Sequence, residues 1–235
     1  MKLPLDHPTS DRPQRVYVAA TNRCNRRCPW CSTCSTPEGQ TFLDVDDFRS
    51  AFPAEGRFQI QLEGGEPTLH PAFPDLVRIA RNHPRCERVV VCTNGVLLPR
   101  TPPALRAWLE GLGAPLTLKV SVNHHLLEHD PGLLYLCGSV RDVLAEMGGD
   151  RLLVVNVRLR RGCKDDDRDV RDAVERAGLA NHANLFFLQA YGFALGHPGW
   201  DLPRPVTDQF TLVNPDGRAY GPDLIARSEA MRRLA

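Results

Sequence analysis

The sequence predicts an α/β protein built as a partial, open (β/α)6 barrel of the TIM type. Short β-branched runs alternate with amphipathic stretches, the pattern of parallel strands joined by crossover helices. The alternation returns about every thirty residues. Six such units fall short of the eight that close a barrel, so the expected structure is open-sided, with its mouth at the C-terminal ends of the strands.

Taken in order, the first strand is VYVAA at residues 16–20, and a helix over 45–52 leads to a second strand at 58–62. A helix over 73–81 precedes the β-branched run at 88–92, and the proline-containing break 100–103 introduces a helix over 103–112. Strand four is Leu116–Val122, followed by a helix over 140–147 that the pair Gly148-Gly149 ends. Strand five covers 152–159, a helix 168–177, and strand six 185–189. Residues 210–213, the turn Asn214-Pro215-Asp216-Gly217 and residues 218–220 read as a hairpin laid outside the barrel, before a last helix over 223–234. The expected organisation is an N-terminal extension at 1–14, a barrel core at 15–192, and a hairpin and helix at 193–235 that complete the same domain.

A chain of 235 residues can fill one core, and a formal net charge of +1 gives no global field to hold a nucleic-acid backbone or an anionic membrane. The expected partner is therefore a small molecule or a peptide. No apolar run reaches the roughly 18 residues of a spanning helix, and the first residues lack the apolar centre of a signal peptide, which predicts a cytoplasmic location. That setting favours reduced thiols over disulfides for the eight cysteines. Cys86, Cys92, Cys137 and Cys163 stand apart and are expected to be small buried residues.

The other four cysteines crowd into one loop after the first strand, where Cys24, Cys28 and Cys31 make a CxxxCxxC spacing. Three thiolates so close can occupy three corners of a four-iron four-sulfur cube and leave the fourth iron open. With Cys34 as a fourth ligand the same loop would suit a closed zinc site. Asn25, Arg26 and Arg27 supply polar and cationic groups to offset cluster charge. Past the second strand stands Glu63-Gly64-Gly65-Glu66-Pro67-Thr68, whose paired glycines let backbone approach a ligand, with Glu66 as an added acceptor.

In order and placement, the cysteine loop and Gly64-Gly65-Glu66-Pro67 together resemble the radical S-adenosylmethionine (SAM) superfamily. The resemblance implies a [4Fe-4S] cluster on Cys24, Cys28 and Cys31, with SAM chelating the open iron and its amine contacted by Gly64 to Pro67 through Glu66. Trp30, just before the third cysteine, takes the place of the residue near the adenine. Thr93-Asn94-Gly95 and Ser121-Val122-Asn123 look like the family's contacts to ribose and carboxylate. Residues 155–162 and 187–192, with Asn156, Arg158, Arg161, Gly162, Gln189 and Tyr191, resemble the last strands of the molybdenum-cofactor GTP-cyclase-like branch. Residues 214–220 look like the opening of a SPASM or twitch extension, but Gly221-Pro222 follow and no cysteine lies beyond Cys163, so no second cluster is expected.

Other residues carry paired readings. His124 and His125, after strand four, are either substrate or proton-transfer groups or an exposed loop. Arg158 alternates with Val155, Val157 and Leu159, so it either enters the barrel as an anion contact or points outward in an ion pair. Gln189 and Tyr191 either read adenine or substrate or form a satisfied structural pair. His124, His125, Arg158 and Tyr191 are the catalytic candidates. The run 164–168 is either a cation site or a solvated helix start.

The expected activity is reductive cleavage of SAM and abstraction of a hydrogen from a small polar metabolite such as a sugar, nucleotide or pterin-like compound, with an electron donor such as flavodoxin or ferredoxin as partner. Alternatives within the family are 7-carboxy-7-deazaguanine synthases, glycyl-radical-enzyme activases and peptide-modifying enzymes. The first two tend to carry Asp-x-Lys on strand four, where this chain has Thr117-Leu118-Lys119. From another class, the alternative is a non-catalytic zinc or iron–sulfur module that uses Cys34 as well.

Overall fold

The computed structural model describes residues 13–160, 165–195 and 210–235. Most of the 1–14 extension, together with Arg161, Gly162, Cys163 and Lys164, lies outside these residues. Seven strands form one sheet in the order β6-β5-β4-β3-β2-β1-β7. They are β1 (Gln14–Thr21), β2 (Phe58–Gly64), β3 (Cys86–Thr93), β4 (Leu116–Val122), β5 (Arg151–Leu159), β6 (Ala183–Phe187) and β7 (Phe210–Val213). Every neighbouring pair is parallel.

Register and side-chain alternation divide the sheet into two faces. Val18 lies beside Leu62, Leu62 beside Val91, Val91 beside Leu118, and Val120 beside Val155, all buried against the helices. The residues between them, Gln61, Glu63, Cys92, Lys119, Ser121, Asn156 and Arg158, face the other way and line cavities. One cavity is lined from β1, β2, β4, β5, β6 and β7 at once, as a sheet curled into an open half-barrel permits.

The helices are α1 (Val45–Ser50), α2 (Phe73–Arg81), α3 (Pro102–Leu112), α4 (His124–His129), α5 (Leu133–Met147), α6 (Asp165–Arg176) and α7 (Leu224–Leu234). Proline stands in the first turn of α2 and α3, where its missing N–H costs nothing. The α2 residues Phe73, Leu76, Val77 and Ala80 form the apolar stripe that packs on the sheet. Asp44, Asn123 and Asp223 cap α1, α4 and α7 with their side chains.

Three expectations are corrected. Strand six starts and ends two residues earlier than expected, so Gln189 lies beyond it. The last hairpin is not outside the barrel: its first arm, β7, joins the sheet beside β1, while the second pairs antiparallel with β7, Tyr220 N–H donating to Leu212 O (2.8 Å) and Leu212 N–H to Gly221 O (2.9 Å). Parallel pairing to β1 gives β7 a full ladder that a hairpin alone would leave half unpaired. Where a loop was expected after strand four, Asn123 accepts from the Leu126 N–H (2.9 Å) and starts α4, which puts His124 and His125 on a helix.

Candidate functional site

The cysteine loop is tied to the turn after β2 by backbone. Gly65 N–H donates to Thr21 O (2.7 Å) and Glu66 N–H to Arg23 O (2.8 Å). A Cβ on Gly65 would lie 2.0 Å from Arg23 O, so only glycine permits this approach. On the other side, Phe193 N–H donates to Cys31 O (3.0 Å), and a Cβ on Gly192, whose φ is +55°, would meet that same oxygen at 2.2 Å. Ser228 of α7 accepts from Gly192 N–H (2.6 Å) and donates to Ser32 O (3.3 Å). The loop is thus clamped between the glycine turn and the last helix.

A cavity of ≈ 110 Å³ opens under it, lined by Cys24, Cys28 and Cys31, by Gly64 and Gly65, and by Ser121, Asn123 and Asn94 at the strand ends. Trp30 and Arg158 line both this cavity and the larger one of ≈ 480 Å³ inside the half-barrel, so the two adjoin. Donors aim at the sulfurs: Ser35 N–H at Cys31 Sγ (3.4 Å) and Asn94 Nδ2 at Cys24 Sγ (3.7 Å). Burial pushes the Cys24 and Cys28 thiols up to about 12, so these sulfurs become thiolates only beside a compensating cation.

The four sulfurs are not gathered as one zinc ion would gather them. Around one tetrahedral zinc, sulfurs at about 2.3 Å from the metal stand about 3.8 Å apart. Among the described residues, the single group of three ligating atoms within 4.8 Å of one another is His125, Glu128 and His129, so no three of Cys24, Cys28, Cys31 and Cys34 converge on one ion. Three thiols around one cavity suit three corners of an iron–sulfur cube. Cys34 is fully buried and lines neither cavity. Cys92, expected to be a core residue, lines the space beneath the three thiols.

Glu66 stands otherwise than expected. Its side chain has no exposed surface and accepts from Thr68 N–H (3.3 Å), Thr68 Oγ1 (2.7 Å), Thr93 Oγ1 (2.9 Å) and Asn94 N–H (2.8 Å). Burial raises its pKa, and these four hydrogen bonds oppose the shift. The carboxylate therefore joins the turn after β2 to the end of β3, and backbone at Gly64 and Gly65 faces the cavity. Thr93 is spent in the same network.

The other candidates fall as follows. Trp30 packs edge-on to His125 (5.8 Å) and lies under the Arg160 guanidinium (5.6 Å). Arg158 enters the barrel, with its guanidinium 5.6 Å from the Phe186 ring. Gln189 and Tyr191 both line the larger cavity and bond to each other, Tyr191 OH to Gln189 Oε1 (2.8 Å). His124 and His125 line neither cavity, and His124 lies 3.5 Å from Asp166. Arg26 lines the cluster cavity, whereas Arg27 turns away to pair with Glu38. Asp166 and Asp167 hold Arg160 (2.6 and 3.1 Å), while Asp165 and Arg168 are exposed, so the described part of the run is an acidic helix start, the first turn of α6.

Sequence reasoning missed a polar chain across the concave face. Lys119 Nζ donates to Gln61 Oε1 (3.3 Å), Gln61 Nε2 to Glu63 Oε2 (2.6 Å), and Arg227 Nη1 to Glu63 Oε1 (2.9 Å). Polar residues alternating with buried apolar ones along β2 and β4 were the available signal. For Arg227, on a helix distant in sequence, there was none.

The radical SAM superfamily model matches residues 18–125. GTP 3',8-cyclase of Chlorobaculum tepidum is 40% identical over 105 residues, which cover 43% of this chain and 32% of that protein. The Aeromonas hydrophila subsp. hydrophila GTP 3',8-cyclase is 30% identical over 187 residues, covering 71% and 51%. The chain thus spans between a third and a half of these relatives' length. Among solved structures, Streptococcus suis SuiB bound to S-adenosylmethionine superposes with a TM-score of 0.54 at 13% identity, over 82% of this chain and 44% of that one, a likeness of fold.

Proposed function

Because the chain belongs to the radical SAM superfamily, we propose that it cleaves SAM reductively at a [4Fe-4S] cluster on Cys24, Cys28 and Cys31 and uses the resulting radical on a small polar metabolite. The observation that carries this reading is the cavity beneath the three thiols, which adjoins the half-barrel cavity through Trp30 and Arg158. Bound there, the cluster supplies one electron that cleaves SAM to methionine and a 5'-deoxyadenosyl radical able to abstract hydrogen.

The chain's own residues do the rest. Ser35 N–H and Asn94 Nδ2 stabilise thiolate sulfur, and the backbone of Gly64 and Gly65 receives the SAM amine in place of Glu66. Ser121, Asn123 and Asn94 meet the polar parts of SAM, and Trp30 faces the adenine. Gln189 and Tyr191 hold the far wall. The half-barrel keeps the substrate C–H bond against the reacting carbon and excludes water. The relatives' name, GTP 3',8-cyclase, supports a small polar metabolite. A flavodoxin or ferredoxin supplies the electron in a cytoplasmic setting, and no described helix is long and apolar enough to cross a membrane.

The test is SAM cleavage after anaerobic reconstitution of the parent and of Cys24→Ala, Cys28→Ala and Cys31→Ala. Production of 5'-deoxyadenosine by the parent and loss in all three variants is expected. Survival of cleavage in the variants, or a colourless zinc-loaded parent, overturns the reading.

A further inference from the structure

Three cations, Lys119, Arg158 and Arg227, line the larger cavity against one carboxylate, Glu63. That carboxylate is already engaged, by Gln61 on one oxygen and by Arg227 Nη1 on the other. Arg227 reaches the cavity from α7 and is 5% exposed. Its Nε donates to Asn214 Oδ1 (3.0 Å) and its Nη1 to Glu63, yet the buried Nη2 has no hydrogen-bond partner among the described residues. A guanidinium placed only to fasten α7 to the barrel would have its buried donors paired, because an unpaired buried donor is costly. Among the described residues Lys119, with three donors on its ammonium, reaches Gln61 alone, at 3.3 Å.

We propose that the half-barrel cavity takes an oxyanion of the substrate, a carboxylate or a phosphate, on Arg227 Nη2 and Lys119. The inference rests on the proposed function and names the chemistry of its substrate. An oxyanion supplies acceptors for Nη2 and for the free Lys119 donors and balances the excess positive charge. The Phe186 and Phe210 rings on the same cavity then pack against the rest of the molecule. Arg227 lies outside residues 18–125 that the family model matches, so this recognition belongs to the C-terminal helix of this chain.

The test is calorimetric titration of the anaerobically reconstituted full chain with inorganic phosphate and, separately, with acetate, at constant ionic strength in a chloride buffer. Saturable binding of at least one anion is expected, and the anion preferred identifies the substrate group. Arg227→Lys keeps the ion pair with Glu63 and loses the fork, and Lys119→Met removes the second cation. Each is expected to weaken anion binding tenfold or more. Binding of neither anion by the parent, or unchanged affinity in both variants, overturns the inference. Uncoupled SAM cleavage in the same preparations reads the proposed function separately: cleavage without anion binding fails this inference alone, and anion binding without cleavage fails the proposed function alone.

Discussion

Replacing Glu66 decides whether the turn after β2 acts through a carboxylate ligand or through a strut. Its two oxygens each hold one obligate donor, Thr68 N–H on Oε1 and Asn94 N–H on Oε2, with the Thr68 and Thr93 hydroxyls also on Oε1. In Glu66→Gln a single acceptor oxygen remains. If it turns to Asn94, the new NH2 faces two hydroxyls, which can reverse and accept, and the Thr68 N–H, which cannot. The variant loses the charge on its hydrogen bonds and one N–H partner, an expected destabilisation of about 2 kcal/mol. Glu66→Ala leaves Asn94 N–H and the Thr93 hydroxyl without the carboxylate and opens a void, for about 4 kcal/mol. With an m-value near 3 kcal/mol/M, urea midpoints should fall by about 0.7 M and about 1.3 M. Unfolding of the reconstituted protein is followed by circular dichroism, with iron content and SAM affinity measured beside it. The reasoning is refuted if Glu66→Gln keeps the parent's midpoint and binds SAM tenfold more weakly, for the carboxylate would then be meeting the ligand.

Cys34→Ser should leave iron content and SAM cleavage near the parent level, because Cys34 lines neither cavity, although burying a hydroxyl there costs about 1–3 kcal/mol; loss of iron would place Cys34 in the ligand set. Gly65→Ala forces a Cβ to 2.0 Å from Arg23 O, so a loss of about 3 kcal/mol or more and poor iron incorporation are expected, and a normal midpoint would contradict the packing. His70 bonds through Nε2 to Leu43 O (2.9 Å) and through Nδ1 to Ala72 N–H (3.0 Å), and burial lowers its pKa. The neutral ring therefore stabilises the fold fully above its unfolded pKa of about 6.5, and that contribution is lost as the pH falls through the lowered folded value. Urea midpoints of the parent and of His70→Asn, compared at about pH 7.5 and about pH 5, should show a smaller acid loss in the variant; equal losses would remove His70 from the account.

The sequence alone determined what short spacing can encode. CxxxCxxC places three sulfurs on one loop, paired glycines permit a close backbone approach, and the recurrence of β-branched runs fixes a parallel α/β sheet. Leu116–Val122 and the α2 helix at Phe73–Arg81 were legible to the residue, because their patterns are local and proline marks their boundaries, Pro115 before the strand, Pro74 in the first turn of the helix and Pro84 after it. Tertiary structure decided whatever depends on partners far along the chain. The turn after β7 made the hairpin legible, but only the free edge of β1 decided that its first arm also joins the sheet. Glu66 became a strut because Thr93 and Asn94, from the next strand, arrive within hydrogen-bond distance of both its oxygens. Arg227 entered the half-barrel because α7 packs on the cysteine loop through Ser228, a contact across 196 residues that no local pattern announces. Its buried, unpaired nitrogen follows from that packing, since only the assembled cavity removes water from a group that any isolated helix would leave solvated.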